Sequence, residues 1–171
     1  MLNFSGFACS GTWTYHAVLT WTDLTSTSFY RVIMATFQTS NTSPFAGIYT
    51  SGSNPGVAGN FLGAYTSQAG PAVSPTISVA NKWYVVFATY DLLTVRLYVN
   101  GVLVASAAHS NIVCNENGMY LGVTYTPSGV LTQAYGGPMH FLQAAIWPTA
   151  LTAGEISARA SAISVTYNFD L

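Results

Sequence analysis

Five carboxylates, three imidazoles and two thiols are all this chain offers for acid–base, metal or nucleophilic chemistry. Hydrolysis of a glycosidic bond normally needs two carboxyl groups about 5–10 Å apart, one on each side of the bond. The sequence leaves no such pair. Asp91 follows a strand-like run in a turn, where an aspartate commonly bonds its own backbone. Glu116 sits in the turn-like Asn115-Glu116-Asn117-Gly118, and Asp23 and Asp170 are isolated. Glu155 stands three residues after Thr152, the T-x-x-E spacing of a helix capping box. No catalytic residue is therefore expected. His16, His109 and His140 lack the spacing of metal ligands, and each reads as a structural or surface histidine. No G-x-S-x-G nucleophile elbow and no phosphate-cradling glycine loop occurs. Neither a metal nor a cofactor is expected.

Recognition without charge is the chemistry that remains. Neutral sugars stack on Tyr and Trp rings and hydrogen-bond to amides and hydroxyls. Tyr49 and Tyr65, in an early loop-rich region, and Tyr125 and Tyr135, in a later one, are the candidate ligand contacts. Trp13, Trp21, Trp83 and Trp147 fall at strand positions and are assigned to the core.

These residues need a frame, and the frame reads as strands. Gly11–Asp23 alternates, with Trp13, Tyr15, Ala17, Leu19 and Trp21 on one face. Phe29–Phe37, Ala46–Thr50, Phe61–Thr66, Thr76–Val79, Met119–Thr124 and Met139–Trp147 are further strands, with Gly70-Pro71 and Pro75 marking a turn region. Between Trp83 and Ala105 the pattern is strand, short turn, strand and tight hairpin. Asn100-Gly101 supplies the two positive-φ positions of a type I′ turn before Val102–Ala105 returns. Thr152 and Glu155 start a helix from Ala153 to about Ala162. A last strand, Ser164–Asp170, is expected to pair beside the N-terminal strand. Many short strands with turns between them and one late helix predict a two-sheet sandwich formed by residues 1–171 as one domain.

The run W-x-x-V-x-x-T-Y-D followed by R-L-Y-V-N-G, from Trp83 to Gly101, resembles the central hairpin of concanavalin A-like lectin/glucanase domains of the laminin G-like branch. Trp147-Pro-Thr-Ala-Leu-Thr-Ala-Gly-Glu-Ile156 resembles that family's closing strand and helix. The resemblance implies an all-β jelly-roll sandwich of two antiparallel sheets with one short C-terminal helix. Glucanases of this superfamily carry an E-x-D-x-x-E strand, which is absent here. Laminin G-like relatives often carry an acidic pair before the closing helix; Leu142 and Gln143 stand at those positions, which argues against a carboxylate-rich calcium site.

Charge and composition bound the rest. Charged residues are 5% of the chain and the net charge is −1, so there is no footprint for nucleic acid or for an anionic membrane. No apolar run approaches a bilayer span. The N-terminus lacks the basic and continuous apolar regions of a signal peptide. Cys9 and Cys114 either pair or remain buried thiols. A surface built from Ser, Thr, Asn, Gln, Gly and Tyr has little repulsion to keep copies apart. An exterior-surface fold without a secretion signal is economically joined in a non-catalytic virion protein, capsid-decorating or tail-associated. Its partners would be copies of itself or other virion proteins, with neutral glycans as a further ligand. A stand-alone extracellular carbohydrate-binding lectin domain is the alternative, and an accessory domain of a glycoside-active enzyme the third.

Overall fold

Alternating side chains divide Trp13–Trp21 between two hydrophobic environments, and the rest of the sandwich is built around that division. The structure is a computed structural model. It describes residues 2–4, 11–21, 30–38, 44–54, 57–66, 69–73, 81–108, 116–125, 131–132 and 139–170. In chain order the strands are β1 (Leu2–Phe4), β2 (Trp13–Trp21), β3 (Tyr30–Gln38), β4 (Pro44–Asn54), β5 (Val57–Thr66) and β6 (Ala69–Val73). They continue as β7 (Tyr84–Tyr90), β8 (Thr94–Val99), β9 (Val102–Ala108), β10 (Glu116–Tyr125), β11 (Leu131–Thr132) and β12 (Met139–Trp147), followed by the helix α1 (Ala153–Tyr167). One sheet runs β1-β10-β3-β4-β5-β6, with β11 against β10; the second runs β12-β2-β7-β8-β9. Every pairing is antiparallel. This is the two-sheet all-β sandwich with a C-terminal helix that the sequence predicts.

Between the sheets, Trp13, Tyr15, Ala17 and Leu19 of β2 meet Ile33, Met34, Ile48 and Ala64 of the opposite sheet. The other side of β2 is buried too, because α1 lies against the outside of the second sheet. There Val18, Val85, Phe87 and Tyr98 pack with Leu151, Ile156 and Ala160. Trp83 and Trp147 flank this outer cluster, so these two tryptophans sit under the helix and not between the sheets. Thr14 fixes the approach to α1: its hydroxyl donates to the Thr149 carbonyl at 2.7 Å and accepts from the Leu151 amide at 2.9 Å.

The hairpin between β8 and β9 turns at Asn100 (φ 53°) and Gly101 (φ 81°). Asn100 also extends the β7 ladder. Its amide donates to the Val85 carbonyl at 2.7 Å, and its side-chain Oδ1 accepts from the Val85 amide at 3.0 Å. A Cβ at Gly101 would stand 3.1 Å from the Ala160 Cβ, so this turn touches the helix directly.

Four expectations are corrected. The helix does not stop near Ala162 and Ser164–Asp170 is not a strand: α1 continues to Tyr167 and ends on Asn168 in the left-handed conformation. Ile156, Ala160 and Ile163 recur on one helix face and pack on the sheet, which outweighs the strand propensity of the Val165-Thr166-Tyr167 run. The first strand read from the sequence, β2, accordingly has β12 and β7 as its neighbours, and the short β1 before it pairs with β10. Gly70-Pro71 lies inside β6, an edge strand, the place in a sheet that tolerates proline. Finally, β4, β5 and β10 are longer than the expected Ala46–Thr50, Phe61–Thr66 and Met119–Thr124, so that Glu116 opens β10, paired with Gln38, instead of standing in a turn. Thr76–Val79, Cys9, Cys114, His109 and Asp23 lie outside the described residues.

Candidate functional site

A one-residue irregularity in β12 sets up the candidate site. The pairing with β2 runs Phe141 to Leu19 and resumes with Gln143 to Val18, leaving Leu142 as the extra residue of a β-bulge. Paired residues share a face, and Leu19 belongs to the inner core whereas Val18 belongs to the outer cluster. The bulge therefore moves Gln143 from the inner face to the outer one, a re-aiming for which bulges are used beside functional sites. Downstream the register places Ala145 opposite His16 and Trp147 opposite Thr14. Gln143, Ala145 and Trp147 thus form a row on the outer face, with a small residue between an amide and an indole. Gln143 is exposed and Trp147 half-buried.

The helix closes one side of this row. It packs over β7 and β9, and Arg159 reaches back to place its guanidinium carbon 4.9 Å from the centre of the Trp147 ring. Beneath lies His16, fully buried, with its ring 4.2 Å from Phe87 and 6.0 Å from Trp147. Its Nδ1 is 3.1 Å from the Val86 carbonyl, which can only accept, so Nδ1 carries the proton. Nε2 is then an acceptor, and it has no partner within hydrogen-bond geometry among the described residues. Burial lowers the imidazole to about 4, against the upward pull of the Val86 carbonyl; the Arg159 charge lowers it further and the Gln143 side chain raises it. The ring is neutral at physiological pH.

Both of the described acidic groups near a turn or cap are engaged in structure. The Asp91 Oδ1 accepts from the Leu93 and Thr94 amides at 3.1 and 2.8 Å, and Oδ2 pairs with Arg96. Burial raises the Asp91 carboxyl, but the Arg96 and backbone bonds prevail and hold it below its ordinary value. The Glu155 Oε2 accepts from both the amide and the hydroxyl of Thr152 at 2.8 Å, and the Thr152 hydroxyl accepts from the Glu155 amide at 3.3 Å. That is the capping box read from the sequence, and those bonds keep the carboxyl ionised by lowering its titration. Among the described residues, no three His, Cys, Asp or Glu converge on a point that could hold a metal.

The tyrosines expected to contact ligand do not come together here. Tyr49 lies in β4 with 6% of its surface exposed, so its ring presents no open face for a sugar to stack on. It neighbours Ile48 of the inner core, and both are buried because both faces of this part of β4 are covered. Tyr65 of β5 pairs with Gly47 of β4, and Tyr125 at the end of β10 pairs with Tyr30 and Leu131. Their side chains, and Tyr135 altogether, lie outside the described residues. Sequence reasoning assigned Trp147 to the core and passed over Gln143 and Arg159. The signal within reach was the Glu155–Arg159 spacing of four, which puts both on one side of the helix. The bulge that turns Gln143 outward has no such local signature.

No curated protein matches the chain. Among solved structures, a sialidase of Trypanosoma rangeli is similar at a TM-score of 0.63 and 14% identity, over 94% of this chain and 24% of the sialidase. A candidate carbohydrate-binding protein of Bacteroides ovatus gives 0.61 and 18%, over 86% of this chain and 40% of that one. Botulinum neurotoxin type C, whose cell entry depends on interaction with two ganglioside molecules, gives 0.62 and 14%, over 91% and 36%. The chain thus spans about a quarter of the sialidase, and these likenesses are of fold. The family match is direct: residues 3–157 fit the laminin G-like family of the concanavalin A-like lectin/glucanases superfamily. By that match, over two sheets and a capped closing helix of the expected form, the chain belongs to the concanavalin A-like lectin/glucanase superfamily.

Proposed function

We propose that this chain is a non-catalytic glycan-recognition module. The observation that carries the reading is its membership of a lectin superfamily across residues 3–157, joined to a site of indole, amide and guanidinium. Asp91 and Glu155 are engaged by a turn and a cap and are not free for acid–base work. Similar structures whose names refer to carbohydrate or ganglioside binding support the ligand class. Binding of the purified chain to a glycan array tests this. Selective retention of sugars is expected, and a folded chain that binds none overturns the reading.

A second reading, a self-assembling subunit, draws on the edges of the second sheet. Both edge strands present apolar side chains to solvent: Val102 (64% exposed) and Leu103 on β9, and Leu142 on β12. Uncharged edges favour pairing with another copy. A virion-surface subunit would use such contacts, and an extracellular lectin would not need them. Light scattering at several concentrations separates the two. Interfaces of at least about 1,000 Å² with weak salt dependence are expected for an assembly, and a strict monomer at high concentration removes that reading.

A further inference from the structure

The row Gln143–Ala145–Trp147 with Arg159 at its border has a chemistry more specific than neutral-sugar stacking. Arg159 is exposed and forms no ion pair among the described residues, where Arg96 and Asp91 supply the ion pair. Glu155, one turn earlier, turns its Oε2 to the Thr152 amide and hydroxyl and feels Arg159 through its charge without forming an ion pair with it. The Arg159 guanidinium is held over Trp147 at 4.9 Å. A guanidinium over an indole keeps N–H donors free of the ring, and these form a fork for a further partner. That fork matches a carboxylate bidentately.

A second, independent feature points into the same place. His16 is fully buried, and its Nε2 has no hydrogen-bond partner among the described residues. With Nδ1 committed to Val86 on β7, Nε2 is left for the β12 side, where Gln143 stands on the same outer face two residues from Ala145, the partner of His16. A buried acceptor without a donor is costly and calls for one. The Gln143 amide N–H2 can supply it, and its Oε1 is then turned outward as an acceptor for a ligand hydroxyl or amide N–H. His16 acts here as a positioning residue for Gln143. Ala145, directly opposite His16, leaves the space between amide and indole open.

We propose that this site binds a sugar bearing a carboxylate, the acid seated on Arg159 and a neighbouring hydroxyl or N–H on Gln143. The inference rests on the glycan-recognition reading and narrows it to acidic sugars. Sialic and uronic acids share this chemistry, so both serve as probes.

Isothermal titration of the purified chain with 3′-sialyllactose, digalacturonic acid and lactose tests it. Wild-type binding of at least one acidic probe, at least tenfold tighter than lactose, is expected, and it should weaken with salt. Arg159→Gln should lose that preference by tenfold or more, with Arg159→Lys recovering part of it, since lysine restores charge without the fork. Gln143→Ala, away from the helix, should weaken the acidic probe without changing the salt dependence. His16→Phe should weaken it in the same way if His16 orients Gln143. Thermal melts of each variant identify any that fails to fold, and the Gln143 variant then carries the decision. Binding of lactose alone, or an acidic preference that survives Arg159→Gln in a folded protein, overturns the inference and leaves the broader reading intact. Absence of binding to these probes and to a full glycan array overturns both.

Discussion

Replacing Gly101 by alanine adds one methyl group at a position where two independent constraints meet. The residue holds φ at 81°, a region that costs a residue with a Cβ about 1–2 kcal/mol. The new Cβ would also stand 3.1 Å from the Ala160 Cβ and 3.3 Å from the Ser157 Cα. Neither neighbour can swing aside, since one is a methyl fixed to the helix and the other is backbone. Overpacking of this kind costs about 1–3 kcal/mol. Together they predict a loss of about 3 kcal/mol, which for a domain of this size lowers the melting temperature by roughly 6–12 °C. Urea unfolding, with the slope unchanged, is the direct measurement. The two parts separate in a cycle with Ala160→Gly, which removes the methyl that the new Cβ meets. Gly101→Ala should cost less in that background, by about 1 kcal/mol or more if the contact is real. A Gly101→Ala variant within about 0.5 kcal/mol of the parent, the scale of a neutral surface change, would refute both the turn and its docking on α1.

Thr152→Ala removes the hydroxyl that caps α1 and should cost about 1 kcal/mol in chemical denaturation, with glycan binding unchanged. The imidazole of His16 falls to about 4 in the fold from an ordinary 6.5, so the unfolded chain takes up the proton first. The stability held by the neutral ring is complete above about pH 6.5 and is lost as pH falls toward 4, by about 3 kcal/mol in all. His16→Phe should flatten the pH dependence in that window, and a profile unaltered by the substitution would discard this account. Because Leu142 and Gln143 stand where related domains carry acids, neither EDTA nor calcium should move the melting temperature. A native-state ligand at 100 times its dissociation constant adds about 2.7 kcal/mol, so a rise with calcium would expose a site.

The parts of the fold visible in the sequence are those fixed by neighbours along the chain. Asn100-Gly101 sets a turn through its own φ preferences, and Thr152 and Glu155 cap a helix across three residues. The alternation in β2 gave Trp13, Tyr15, Ala17 and Leu19 as its inner face, as found. Its outer face reads as Thr14, His16 and Val18, and nothing local says that a helix 140 residues later buries it. Features that depend on a partner strand stayed hidden. The bulge at Leu142 exists only relative to β2, and the sequence shows an unbroken run from Met139 to Trp147. The end of α1 is a case of competing signals. Val165, Thr166 and Tyr167 suit a strand, yet the Thr166 hydroxyl donates to the Ala162 carbonyl at 2.8 Å and joins the helix. Ser164 closes the end, its hydroxyl donating to the Phe169 carbonyl and its own carbonyl accepting from the Phe169 amide. Phe169 is then placed against Trp83, with the rings 6.2 Å apart. Packing of distant residues decided the element.

Scarcity of charge makes the few charges that remain informative about function. On an ordinary surface, with about a quarter of residues charged, an exposed arginine has carboxylates within reach and its pairing says little. Here only 5% are charged, and three of those described have structural tasks: Asp91 and Arg96 tie a turn, and Glu155 caps a helix. Lys82 is exposed at the approach to β7, whereas the Arg159 guanidinium lies over the Trp147 ring, 4.9 Å from its centre, at the border of an outward-facing row. Holding an arginine still reduces the rotamer entropy lost when it binds a partner. The same scarcity that leaves the sheet edges unguarded against other copies therefore leaves Arg159 available to an acidic ligand. Salt discriminates between these two consequences. Edge pairing of apolar strands should be nearly insensitive to ionic strength, and a contact made by Arg159 should weaken with it.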